Sequence, residues 1–145
     1  MSITKIIADH PVYTCVMVFD KKVTKTLFCI RTKEPFKGKY NFNGGKVDKD
    51  EEPLANAYRE IEEETGITSE DIKLKLLMTF EFNLDNIKMY AFAGILNKEV
   101  ELKKELNDLE WVSLEDDFSN SDKYAGNGNI ETMIAAFLQN IEKFE

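Results

Sequence analysis

The sequence predicts a mixed α/β domain, and three observations predict it. Runs rich in β-branched and aromatic residues stand on both sides of a sharply delimited helix, that helix carries its own start and stop signals, and a second amphipathic helix lies near the C-terminus. With 145 residues and 43% hydrophobic content the chain supports one core, so a single domain over residues 1–145 is expected.

The first two runs, Val12 to Asp20 (VYTCVMVFD) and Thr26 to Arg31 (TLFCIR), flank a charged turn at Lys21 and Lys22 and read as a hairpin. Cys15 and Cys29 fall within these runs, where a thiol acts as a small core hydrophobe. A polar stretch with Pro35 and Gly38 follows, and KYNFNGG then ends in a glycine pair that marks a turn or a close backbone approach. Pro53 suits a first helical turn, Asp50, Glu51 and Glu52 place negative charge at the positive end of the dipole, and Gly66 is a C-terminal stop, which sets a helix over 53–65. Ile72 to Phe82 and Ile87 to Leu96, joined by Asn83 to Asn86, read as an antiparallel pair. After a charged loop, Asn97 to Asp108, come a short strand near Glu110 to Leu114, a long flexible loop from Ser119 to Asn129, and a helix over Ile130 to Ile141.

The composition excludes several classes. No stretch approaches the ~20 apolar residues of a membrane span, and Met1 to Asp9 lacks a secretory apolar segment, so a cytoplasmic location without a membrane partner is expected. A net charge of −8 argues against a general nucleic-acid surface. With His10 the only histidine and no cysteine pair at ligand spacing, zinc is disfavoured.

At about 100° per residue, Leu54, Ala57, Tyr58, Ile61 and Thr65 share one face of the first helix, whereas Glu60, Glu63 and Glu64 share another. Carboxylates at such spacing repel one another, and a hard divalent cation such as Mg²⁺ or Mn²⁺ would reverse the sign. Glu62 points elsewhere and reads as an ordinary surface residue. On the three glutamates alone, a solvated acidic face with Arg59 in local ion pairs is the better explanation.

The run Gly45 to Ile67, GKVDKDEEPLANAYREIEEETGI, resembles the Nudix box, a glycine, five residues, a glutamate, seven residues, then Arg-Glu-apolar-any-Glu-Glu-any-Gly-apolar. Gly45, Glu51, Arg59, Glu60, Ile61, Glu63, Glu64, Gly66 and Ile67 fill every fixed position. The resemblance implies an α/β/α sandwich around a mixed sheet and Mg²⁺-dependent hydrolysis of a phosphoric anhydride in a nucleoside polyphosphate, with Mn²⁺ as a substitute. Its implied metal ligands are Glu60, Glu63 and Glu64, with the Gly45 carbonyl as an addition; Glu51 and Arg59 brace that face. The base that takes the proton of water falls to Glu63 or Glu105, and Lys46 is a candidate phosphate contact.

Tyr40 and Asn41, just before the glycine pair, resemble the pair of MutT-type oxidised-nucleotide hydrolases in which the asparagine lies in the base pocket, and Asn127 and Asn129 resemble a later stretch that also supplies an asparagine. Trp111 falls where the family commonly has a tryptophan in a late strand. Asn43 departs from the MutT pattern, where a proline or aromatic residue is common. The implied reaction is cleavage of a nucleoside triphosphate, oxidised purine nucleotides included, to monophosphate and pyrophosphate by a monomer or homodimer. ADP-ribose, a nucleoside-diphosphate sugar or a dinucleoside polyphosphate is the alternative substrate, and a nucleotide-sensing module without turnover is the alternative class.

Overall fold

The computed structural model describes residues 11–82 and 86–145; His10 and most of the joining segment Asn83 to Asn86 lie outside them. Seven strands, β1 (Val12–Phe19), β2 (Lys25–Ile30), β3 (Tyr40–Asn41), β4 (Asn43–Lys46), β5 (Lys75–Phe82), β6 (Ile87–Ile95) and β7 (Leu109–Ser113), form one mixed sheet. Among the described residues two helices, α1 (Pro53–Thr65) and α2 (Asn129–Gln139), cover its opposite faces, and a 3₁₀ turn, Ile141–Lys143, follows α2.

Strand alternation divides the core. Cys15, Met17 and Phe19 of β1 point toward α2 and pack with Phe28, Phe42 and Phe137, while Val16 and Val18 point toward α1 and pack with Ala57, Ile61 and Ile67. The result is an α/β/α sandwich, as expected. β1 is its spine: it pairs in parallel with β6 along its whole length, Val12↔Lys88 to Phe19↔Ile95.

The expected hairpin of β1 and β2 forms, antiparallel across a tight turn, but it is short. The two strands pair only at Phe19↔Thr26, and from Val16 to Tyr13 the same edge of β1 is taken by β4. The Asp20 carboxylate accepts the N–H groups of Thr24 and Lys25 at 2.7 and 2.8 Å, which fixes a tight turn but leaves the strands free to part. Of the two readings of the glycine pair, the close backbone approach holds and the turn does not, since the pair is part of β4. At Gly44, with φ 145°, a Cβ would sit 2.1 Å from the Thr14 carbonyl oxygen, so this pairing requires glycine.

The α1 limits agree with the sequence: Pro53 is in the first turn, Gly66 caps the end, and Ala57, Ile61 and Thr65 are buried. Leu54, expected on the core face, is 42% exposed because it lies in the first turn, beyond the sheet contact. Both cysteines are buried free thiols whose pKa values burial pushes up, that of Cys29 to about 11. The segment read as a long flexible loop is tied down: Tyr40 N–H donates to the Lys123 carbonyl at 2.8 Å, Ala125 N–H to the Tyr40 carbonyl at 2.9 Å, and Tyr124 is 2% exposed. Tyr124 supplied an apolar anchor that the polar residues around it masked in the sequence.

Candidate active site

The glycine pair of β4 lies directly against the acidic face of α1. A Cβ at Gly45 would come within 2.6 Å of the Glu60 carboxylate, so a side chain here would displace it. Gly44 N–H donates to Glu64 Oε1 at 3.1 Å, and Asn43 Nδ2 donates to Glu64 Oε2 at 3.3 Å. Asn56, fully buried on the same side of the helix, ties α1 to two strands: Thr14 Oγ1 donates to its Oδ1, and its Nδ2 donates to the Lys46 carbonyl at 2.9 Å. An Asn inside a helix is locally unfavourable, and this one is retained by tertiary hydrogen bonds.

Arg59 organises the acids. Its Nε donates to Glu51 Oε2 at 2.8 Å, its Nη1 to both oxygens of Glu63 at 3.2 Å, and its Nη2 lies 3.3 Å from Glu60 Oε1. Glu51 also accepts from Asn56 Nδ2 and Asp48 N–H, at 2.9 and 3.1 Å, and the Arg59 hydrogen bond first, then these, hold its carboxyl down to about 2. Burial pushes the Glu64 carboxyl up to about 7, with the charges of Glu60 and Glu105 adding to it against the donors Asn43 and Gly44. Glu60 is also pushed up by burial, opposed by Arg59. Glu60, Glu64 and Glu105 open on one cavity of about 190 Å³, next to Asn43, Asn107 and Leu109.

A larger cavity of about 580 Å³ lies on the α2 side. Phe36, Phe42, Phe80 and Phe82 give it aromatic walls, and Arg31, Asn41, Asn127 and Asn129 are polar groups in its lining. Gly44 and Gly45 line it as well. The glycine pair therefore joins an aromatic cavity to the carboxylates, the arrangement of a small-molecule site with an apolar body and a charged end.

Comparison with known proteins decides the family, because the model of the NUDIX domain matches residues 9–131. The chain belongs to the NUDIX domain family. Over 80 residues it is 35% identical to mRNA-decapping enzyme subunit 2 of Arabidopsis thaliana, covering 52% of this chain and 21% of that protein. The chain thus spans about a fifth of that relative's length. Among solved structures, a MutT protein from work on Aliivibrio salmonicida and Vibrio cholerae has a TM-score of 0.69 at 19% identity, covering 89% of this chain and 98% of that one. The NUDIX domain of Shewanella oneidensis NrtR, complexed with ADP ribose, has a TM-score of 0.71 at 14% identity, covering 96% and 99%. An Ap4A hydrolase of C. elegans has a TM-score of 0.68 at 21% identity, covering 90% and 98%. At these identities the structures share the fold.

Within the NUDIX domain, the remaining residues singled out by sequence are placed as follows. Glu62 is exposed. Lys46 is exposed at the end of β4. Asn41 lines the aromatic cavity with its Oδ1 accepting Phe42 N–H at 2.9 Å, which leaves its Nδ2 to donate outward. Asn127 lines the same cavity at φ 51°, and the N-cap of α2 is Gly128, with no side-chain cap. Tyr40 is outside the cavity lining: its hydroxyl donates to Glu110, and its ring meets Tyr124 edge-on at 5.9 Å. Alternation along β3 turns Tyr40 away from Asn41, its neighbour. The sequence reading missed Asn56, Arg31 and Phe36. Asn56 had a usable signal, a polar residue on the acidic side of a helix four positions before Glu60.

Among the described residues no three acidic, histidine or cysteine side chains form a ready-made metal cluster, since Arg59 draws Glu60 and Glu63 toward itself. The donor chemistry nonetheless fits a hard divalent cation. Around the acid cavity the donors are all oxygens, and the buried Asn43 Oδ1 lacks a partner among the described residues, its amide orientation being set by the Nδ2 bond to Glu64.

Proposed function

We propose that the chain is a divalent-cation-dependent pyrophosphohydrolase of nucleoside polyphosphates or other nucleoside-diphosphate compounds, with purine nucleoside triphosphates, oxidised ones included, as its leading substrates. One observation carries this reading: the glycine pair lines the aromatic cavity and also abuts Glu60, so a base held among the phenylalanines directs its phosphate chain over Gly44 and Gly45 toward the acids.

In this reading Glu60, Glu63 and Glu64 hold Mg²⁺ or Mn²⁺, with the Gly45 carbonyl as an addition. The bound cation supplies neutralisation of phosphate charge and a polarised water. Glu51 holds the Arg59 guanidinium, and Arg59 in turn orients Glu63 and Glu60. The Gly44 N–H fixes one oxygen of Glu64. Glu105 opens onto the same cavity as Glu60 and Glu64, whereas Glu63 has both oxygens on Arg59; this favours Glu105 as acceptor of the water proton. Asn41 Nδ2 donates to an acceptor on the base edge, Asn127 is the second base contact, and Lys46 meets the phosphate chain.

The experiment is a panel of purine and pyrimidine nucleoside triphosphates, 8-oxo-purine nucleotides, ADP-ribose, a nucleoside-diphosphate sugar and a dinucleoside tetraphosphate, each with Mg²⁺ and with chelator, products separated by chromatography. Release of monophosphate and pyrophosphate from a purine triphosphate, only with metal, is expected. Preferential cleavage of ADP-ribose or the dinucleoside moves the substrate to the alternative class. Binding without turnover of any compound makes the chain a nucleotide-sensing module.

A further inference from the structure

Trp111, singled out by sequence, has no part in the reaction described above, and it stands at a third cavity. This cavity, of about 490 Å³, lies over the turn between β1 and β2 and the start of the 97–108 loop. Its size falls in the range of small-ligand sites. Four lysines line it, Lys21, Lys22, Lys25 and Lys98, against two acids, Asp20 and Glu99. In a chain of net charge −8 this is a local reversal of sign.

The charges are also unequally committed. The Asp20 carboxylate is occupied by the N–H groups of Thr24 and Lys25 and by the Thr24 hydroxyl at 2.8 Å, so it serves the turn. Lys98 pairs with Asp71 at 3.2 Å, but no carboxylate among the described residues lies within ion-pair distance of Lys21, Lys22 or Lys25. The rest of the wall is apolar, with Trp111, Leu96 and Val100. An indole lining the same cavity as lysines without carboxylate partners matches a ligand that is flat and aromatic at one end and multiply anionic at the other. Trp111 is two residues from Leu109, which lines the acid cavity, so the two sites lie one strand repeat apart on one face of β7.

We infer that the Trp111 cavity binds a second nucleoside phosphate, its base on the indole and its phosphates on Lys21, Lys22 and Lys25. Such a site would sense nucleotide, whether substrate or product, separately from the carboxylates that act on it.

Trp111 is the only tryptophan of the chain, so its fluorescence, excited at the red edge of indole absorption, reports the site directly. The full chain, in chelator so that nothing is hydrolysed, is titrated with ADP, with pyrophosphate, and with sodium sulfate at matched ionic strength. A saturable change with ADP is expected, stronger than with pyrophosphate and absent with sulfate. The same titration should survive Asn41→Ala, which alters the aromatic cavity, and weaken by about tenfold or more in Lys21→Glu/Lys22→Glu, whose side chains are exposed and do not support the fold. Coincident thermal melts of the lysine variant and the parent confirm that the fold is kept. No change into the millimolar range, or a change lost in Asn41→Ala and kept in the lysine variant, overturns the site. Equal responses to ADP and pyrophosphate, or to sulfate, overturn its assignment to a nucleotide.

Discussion

Helices α1 and α2 are of similar length, 13 and 11 residues, and lie on opposite faces of one sheet, yet they use their surfaces differently. α2 buries Ile130, Met133, Ile134 and Phe137, and Phe137 stacks on Phe19 with ring centroids 3.7 Å apart and packs against Phe144. α1 buries two apolar side chains, Ala57 and Ile61, together with Asn56 and Thr65, and adds hydrogen bonds such as Leu74 N–H to the Tyr58 hydroxyl at 2.8 Å. One face of the sheet thus holds most of the aromatic packing, and the other keeps a row of carboxylates partly buried and close together. The contrast shows how a small domain tolerates a destabilising cluster: the packing that offsets it is on the far side of the same strands.

The largest expected effect tests the α2 side. Phe137→Ala should cost about 3–5 kcal/mol of stability by chemical denaturation, through lost burial and the cavity left behind. A cost below about 1 kcal/mol would mean that the contrast between the helices is wrong. On the α1 side the pattern should invert. Glu63→Gln should lower turnover at least about a hundredfold, roughly 2.7 kcal/mol, with little change in melting temperature. Glu105→Gln should fall in the same range if it accepts the proton, while Glu62→Gln leaves both quantities near the parent's. Equal activities of the Glu63 and Glu62 variants at saturating Mg²⁺ would dissolve the assignment of the acid face.

The cost of the carboxylates themselves should appear in the pH dependence of the metal-free protein. An unfolded glutamate releases its proton near 4.5, whereas Glu64 in the fold keeps its own to about 7, so stability falls as pH rises between these values. With partial solvation the loss is on the order of 2 kcal/mol. Glu51 acts oppositely: its contribution is full above its unfolded value and is lost as pH falls toward about 2. Mg²⁺ at about a hundred times its Kd should add about 2.7 kcal/mol at neutral pH. Melting curves in chelator that stay flat from pH 5 to pH 7, or that Mg²⁺ leaves in place, would remove the cluster from the comparison.

The smallest effect concerns the aromatic cavity. Asn41→Ala should reduce kcat/KM for the preferred purine by roughly 1–3 kcal/mol and leave a poor pyrimidine substrate nearly unchanged. An equal slowing of both would make Asn41 a structural residue that accepts Phe42 N–H, and the purine assignment would lose its support.

The difference between the two helices also explains what could be read in advance. α1 was legible to its end residues, because Pro53 and Gly66 act locally and the motif spacing of Glu51, Arg59, Glu60, Glu63 and Glu64 is rigid along one helix. The strands were legible as segments, but their partners were not. Nothing local in Val12 to Phe19 says that β4 rather than β2 takes most of one edge; that depends on Gly44 admitting the Thr14 carbonyl. The acid side of the site, with Glu60, Glu64 and Glu105 on one cavity, was named from the motif and its family. The aromatic side was half legible: Asn41 and Asn127 line the cavity, but Phe36, Phe80 and Phe82 come from segments far apart in the chain, and Tyr40 turned the other way.

The junction at Gly44 and Gly45 has one more consequence, for the adaptability of the scaffold. The walls of the aromatic cavity include the Phe36 loop, the end of β5 and the segment leading into α2, and the carboxylates come from α1 and the 97–108 loop; the glycine pair lines the first and abuts Glu60 and Glu64 of the second. Under the proposed function, laboratory evolution confined to Phe36, Phe80, Phe82 and Met133 should alter base preference while leaving the carboxylates in place, whereas variation at the glycine pair should disturb both ends of the site.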